Sequence, residues 1–248
     1  MNGNWGSRWQ LAAVALVAAG LGAGGAYLSG LYQPIAAGPE RSRIEQVVRN
    51  YLITHPEVLV EASTALRRRE SGQAIAAERA AITQPYGNAW SGNAQGDVVV
   101  VEYFDYNCGY CRASLPVIDQ LIASDAKVRV IYRDWPILSA ESATAARYSL
   151  VAAEMGRFRA FHEALYAAGP VSDATIQQAV AQAGLDLAKV RAAVDTPRID
   201  AELERNLSTA KKLGLSGSPS WVIGDQLVSS ALPLEELKRL VAEARQAR

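Results

Sequence analysis

The chain has 248 residues, half of them hydrophobic, enough to bury a core of ordinary domain size, so structural disulfides are not required. Lys plus Arg and Asp plus Glu number 25 each. No basic excess therefore points to nucleic acid, and no acidic excess points to a solvated tail.

Arg8 precedes an uncharged run from Trp9 to Pro39, whose apolar heart at residues 11–32 is long enough to span a bilayer. The positive-inside bias places residues 1–10 in the cytoplasm and exports everything after Tyr32 into an oxidising compartment. Ala23 and Gly25, or Gly24 and Ala26, also fit the small-residue spacing of a signal peptidase. A transmembrane anchor in the inner membrane and a cleaved signal both stand as readings of 11–32. Gly20, Gly22 and Gly25 match a dinucleotide-binding GxGxxG, but no strand precedes them, and a phosphate-binding turn has no place inside an apolar span.

Residues 33–40 read as a linker. Beyond them Ile44, Val47, Val48, Tyr51 and Leu52 keep the spacing of an amphipathic helix. Pro56 ends it and suits the first turn of a second helix, with Glu57 at its start and Arg67 to Arg69 near its end, as the helix dipole favours. Residues 41–83 thus form a short helical arm, either two surface helices or an oligomerisation element through which the chain forms a homo-oligomer.

Residues 84–97, rich in Gly and Asn, mark the entry to the main domain, 84–248. VVVVEYF, 98–104, is a strand buried on both faces. The only two cysteines, Cys108 and Cys111, follow directly. Next come a helix carrying Leu115, Ile118, Leu121 and Ile122 and a second strand, KVRVIYRDW. Strand, helix, strand implies a parallel pair with a right-handed crossover. From about 139 to 213 the pattern is helical throughout, with Thr196 and Pro197 opening the last helix and Gly214 closing it. Two short strands around Gly224 and Asp225 and a terminal helix complete the chain.

Four chemistries compete for Cys108 and Cys111. A zinc site needs about four ligands, and only His55 and His162, in other elements, stand beside the two cysteines. Covalent haem needs a histidine where Arg112 stands. A structural disulfide across so short a loop removes little entropy from the unfolded chain. The remaining reading is a catalytic dithiol: Cys108 sits where strand becomes helix, so free N–H groups and the helix dipole stabilise its thiolate. Cys111, one turn on, faces inward and resolves a mixed disulfide.

The strand with its Cys-x-x-Cys, the helix after it and the late Ser218-Pro219 before a hairpin resemble the thioredoxin superfamily. The long helical block makes the chain similar to its DsbA-like branch. The resemblance implies an α/β thioredoxin-like fold with a helical insertion, preceded by an N-terminal apolar helix and the helical arm. It implies that Pro219 is a cis-proline opposite the cysteines and that the backbone of Ser218 holds extended substrate. It makes Glu102 a buried acid relaying a proton to Cys111, and Pro116 a kink in the active-site helix. Gly109 and Tyr110 then shape the substrate surface and set the redox potential; with no histidine in that pair, a milder oxidant is expected. His162 reads as a packing residue.

The expected protein is a thiol-disulfide oxidoreductase of the bacterial cell envelope, on its periplasmic face. It takes exported proteins with cysteines as substrates, needs a redox partner to reset its dithiol, and requires no bound cofactor or metal. Oxidase action leads. The arm resembles extensions of ScsC-like relatives, so isomerase or reductase action by an oligomer is the alternative. A copper-binding envelope protein is the alternative from another class, although Met155 is the only methionine beyond the initiator and there is no histidine cluster. A non-catalytic adaptor would tolerate loss of the Cys108 thiol.

Overall fold

The computed structural model describes residues 39–247. The expected apolar segment, 11–32, lies outside them, as do residues 1–10. Among the described residues no helix is long and apolar enough to cross a membrane. The chain divides into two compact units after Ser63.

The first unit holds α1, Pro39–Thr54, and the start of α2, Glu57–Thr83. Pro56 lacks the N–H that would continue α1, and the break falls there. Of the expected amphipathic stripe of α1, Ile44, Val47, Val48 and Tyr51 are exposed and Leu52 is half-buried, and Leu59 and Val60 at the start of α2 are exposed as well.

The second unit begins inside α2 and is built on a mixed five-stranded sheet of order β1-β3-β2-β4-β5. The strands are β1 Trp90–Gly92, β2 Val98–Phe104, β3 Val128–Asp134, β4 Ser220–Ile223 and β5 Gln226–Val228. β2 and β3 pair in parallel, as the intervening helix requires, while β1 and β4 flank them antiparallel. β-Branched residues suit a strand covered on both sides, and alternation sends them to two cores. Val98, Val100, Phe104, Val128, Val130 and Tyr132 face the larger one. Val101, Tyr103, Ile131 and Val222 face the smaller one.

Helices cover both faces. Ile75 and Ile82 of α2 are fully buried in the smaller core. Residues 64–83 therefore belong to the compact domain, and the division lies about twenty residues before the arm boundary expected at 83/84. The reason is a change in pattern: Ile75 and Ile82, two helical turns apart, with Ala74 beside them, form an apolar face that this part of α2 buries against the sheet. Arg133 fixes it further. Its Nη1 donates to Glu202 Oε1 at 2.8 Å, and its Nη2 donates to the carbonyls of Ala81, at 2.5 Å, and Gln84, so a buried cation closes the C-terminal end of α2.

On the other face lie α3, Gly109–Ser124, and α9, Leu234–Gln246. The helical block is α4 Ala140–Glu154, α5 Phe158–Ala168, α6 Asp173–Gln182, α7 Leu187–Val194 and α8 Pro197–Lys212. Ser139, Ser172 and Asp186 cap α4, α6 and α7 with their side chains. α8 opens at Thr196 and Pro197 and ends before Gly214, whose φ of 69° is the left-handed stop that glycine allows.

Candidate active site

β2 delivers the chain to a turn over Asp105 to Cys108, and α3 begins immediately after it. Cys108 is the N-cap residue of α3, with φ −81° and ψ 113°, and its Sγ accepts the Cys111 N–H at 3.3 Å. Sulfur thus takes the place of a capping oxygen, and the unpaired N–H groups of the first turn converge on it. The Cys108 thiol is lowered from 9.0 to about 5, chiefly by the hydrogen bond from the Cys111 side chain. The Ser218 side chain and the N–H groups of Cys111 and Tyr110 add to this against the opposing effect of burial.

Cys111 moves the other way. Burial pushes its thiol far above the usual range, and its bond to Cys108 and the charge of Glu102 act in the same direction. Both cysteines are free and buried, with Cys108 6 % exposed. One thiol is therefore held towards its thiolate and the other towards its protonated form.

Glu102 lies in β2 at 2 % exposure, and its Oε1 has no hydrogen-bond partner. Burial, followed by the charge of Cys108, raises its carboxyl from 4.5 to about 8. Strand alternation puts it on the face of Phe104 and Val100, the side on which α3 packs. A carboxyl that titrates near neutrality can take up or release a proton there.

The loop before β4 supplies the opposite wall. The Ser218-Pro219 bond is cis, and the Cys108 thiol donates to Ser218 O at 3.3 Å. Around the sulfur, Gly109 has no atom within 4 Å of where a Cβ would stand, and Tyr110 is 70 % exposed. The structure thus brings Cys108, Cys111, Glu102, Ser218 and Pro219 together, with Gly109 and Tyr110 at the open rim. Pro116 lies inside α3.

His162 is apart from this group. It stacks on Phe158 with centroids 4.9 Å apart, and its Nδ1 lies 3.0 Å from the Tyr106 hydroxyl. Burial, then Arg159, lowers it to about 3, so it packs as a neutral ring. Sequence reading missed Asp105 and Asn107, whose side chains tie the cysteine loop to the helical block. The available signal was an Asx residue at the end of a strand, which closes a turn through its own backbone.

Residues 99–242, more than half of the chain, match the model described as the DSBA-like thioredoxin domain. The chain belongs to that family. This DSBA-like chain also matches the "Copper resistance protein ScsC N-terminal domain" over residues 40–73. A thioredoxin-like oxidoreductase from Silicibacter pomeroyi is 36 % identical with a TM-score of 0.66, covering 68 % of this chain and 99 % of its own. The thiol-disulfide exchange protein alpha-DsbA2 from Wolbachia pipientis is 30 % identical with a TM-score of 0.66, covering 72 % and 97 %. The catalytic domain of Proteus mirabilis ScsC is 26 % identical with a TM-score of 0.64, covering 71 % and 98 %. A curated relative, a Na(+)/H(+) antiporter NhaA from Salinispora tropica, is 26 % identical over 156 residues, 62 % of this chain. The DSBA-like chain spans only 24 % of that antiporter's length.

Proposed function

We propose that the chain is a thiol-disulfide oxidoreductase of the cell envelope that exchanges disulfides with cysteines of exported proteins. The observation that supports this best is the position of Cys108: its sulfur caps α3, accepts the Cys111 N–H, and sits against Ser218 and the cis Pro219.

As an oxidase, the Cys108–Cys111 disulfide is attacked at Cys108 by a substrate thiolate. The S–S bond breaks, a substrate–Cys108 disulfide forms, and Cys111 leaves with the electron pair and takes a proton, for which Glu102 is the nearby source. A second substrate thiolate then attacks the mixed disulfide and releases Cys108 as its thiolate. The substrate gains a disulfide, and two electrons remain on the dithiol until a redox partner removes them. Stabilising the Cys108 thiolate favours this direction, because it stabilises the reduced product. The backbone of Ser218 and Pro219 docks extended substrate, while Gly109 and Tyr110 meet it at the rim.

A second reading, isomerase or reductase action by an oligomer, is favoured by the uncovered apolar stripe of α1 and by the ScsC match over residues 40–73. The contact element then comprises residues 39–63, with the DsbA-like domain following. Anchorage through 11–32, or its cleavage as a signal, fits either direction of exchange.

The test supplies the full chain with a reduced and with a scrambled disulfide substrate, and records its mass in solution. The oxidase reading expects disulfides in the reduced substrate and none with Cys108→Ser. An oligomer that unscrambles but does not oxidise supports the second reading. A Cys108→Ser variant as active as the parent defeats both.

A further inference from the structure

The Cys108 sulfur can cap α3 only if the turn before it is held, and one buried side chain does most of the holding. Asp105 is 1 % exposed, and its carboxylate receives four hydrogen bonds. Oδ1 accepts the Asn107 N–H at 2.8 Å and the Ser142 hydroxyl at 2.7 Å. Oδ2 accepts the N–H groups of Ile137 and Leu138 at 2.9 and 3.0 Å. Its backbone carbonyl accepts the Cys108 N–H and the Tyr166 hydroxyl, each at 3.0 Å.

Two of these bonds form a nested device. The bond from Asn107 N–H to Oδ1 closes an Asx-turn, and the bond from Cys108 N–H to the Asp105 carbonyl closes the backbone turn over the same residues. Together they fix the dihedrals that deliver Cys108 to the start of α3. The other two, on Oδ2, fasten the loop of Ile137 and Leu138, whose side chains are exposed, to that same turn.

We infer that Asp105 is a positioning residue for the redox centre, acting through the geometry of its Asx-turn on the alignment of Cys108 with the N–H groups of α3. This rests on the reading of Cys108 as the reactive thiolate. Geometry and charge predict opposite signs. A displaced Sγ loses part of its N–H donation, which destabilises the thiolate. Loss of a nearby negative charge stabilises it instead. The other titratable groups facing Cys108, namely Cys111 from α3, Glu102 from β2 and Tyr166 from α5, are unaltered in the variants below.

The experiment uses the reduced full chain and two substitutions, following the Cys108 thiolate by its ultraviolet absorbance and its alkylation rate against pH. Asp105→Asn keeps an oxygen for the Asx-turn and removes the charge, together with the Oδ2 acceptor of the Ile137 and Leu138 N–H groups. Asp105→Glu keeps the charge but is too long to close the turn. The positioning role expects Asp105→Glu to move the Cys108 midpoint up by about one pH unit, a tenfold loss of thiolate below it, equivalent to about 1.4 kcal/mol. It expects Asp105→Asn to stay within about 0.3 units of the parent, on the same scale. Should Asp105→Glu fail to fold, Asp105→Ala takes its place and is compared with Asp105→Asn, which lacks the charge equally but keeps the turn acceptor: the positioning role expects the Ala midpoint to lie above the Asn one. A lowered thermal midpoint with an unmoved Cys108 midpoint in the Glu variant, or an Ala midpoint no higher than the Asn one, overturns the inference, as does a downward shift in Asp105→Asn. A parent whose Cys108 titrates as an ordinary thiol overturns the functional reading, and the positioning role with it.

Discussion

Replacing Glu102 by Gln should change how the stability of the reduced protein depends on pH, and the size follows from burial. The carboxyl is 2 % exposed and titrates at about 8 in the folded chain against 4.5 as the ordinary value. A group raised in the folded state supports folding fully below its unfolded value, and that support is lost as pH rises towards the folded one. Between pH 4.5 and 8 the folded chain keeps the proton that the unfolded chain gives up. The Glu102 contribution to stability then falls by about 1.4 kcal/mol per pH unit, a relative loss of about 3 kcal/mol by pH 7. Gln has nearly the same shape and no proton to lose, so Glu102→Gln should gain on the parent across this window by that amount. Denaturant unfolding of both reduced proteins at half-unit steps of pH measures the difference. A constant offset between the two curves would refute the reasoning, because it would mean that Glu102 does not titrate differently on folding. The same variant should release Cys111 more slowly during exchange, since the nearby proton source is gone.

Two further outcomes follow from the site and the clamp behind it. Cys111→Ser leaves Cys108 without its resolving thiol, so when the Cys108 thiolate attacks a disulfide-bonded substrate, breaking that S–S bond and releasing one substrate thiolate, the substrate–Cys108 disulfide should accumulate and appear on a non-reducing gel; its absence would argue against Cys111 as the resolving group. Arg133→Ala leaves Glu202 buried without its main cation and frees the carbonyls of Ala81 and Gln84. A loss of about 3–5 kcal/mol is expected in urea unfolding, as for other broken buried pairs, and a loss below about 1 kcal/mol would contradict the clamp.

The parts of this molecule that were legible in sequence are those where one requirement dominates. VVVVEYF reads as a strand covered on both faces, while Glu102 within it was marked as a buried acid by the family resemblance, with the cost of a carboxyl in such a strand in support. The cysteines were legible from their place at a strand-to-helix junction, and Ser218-Pro219 from family resemblance. β1 was not legible: Trp90–Gly92 has three residues in a Gly- and Asn-rich stretch, and it becomes a strand because β3 offers an open edge. Nor was the end of the helical arm, since whether residues 64–83 stand free or cover a sheet depends on a face made by strands that come later in the chain. Asp105 was missed for a similar reason. Its Asx-turn is local, but Ile137, Leu138 and Ser142, which complete its role, are more than thirty residues away.

The central claim is that the folded chain stabilises the Cys108 thiolate and so makes its own disulfide a good electron acceptor. Comparing the thermal stability of the reduced and oxidised full chain as pH falls from 7 to 5 tests it most directly. A thiol lowered on folding contributes stability above its unfolded value and loses it as pH falls through about 5. The account predicts a reduced form more stable than the oxidised one at pH 7, with the gap closing towards pH 5. An oxidised form that is the more stable at pH 7, or a gap that does not change with pH, would contradict it.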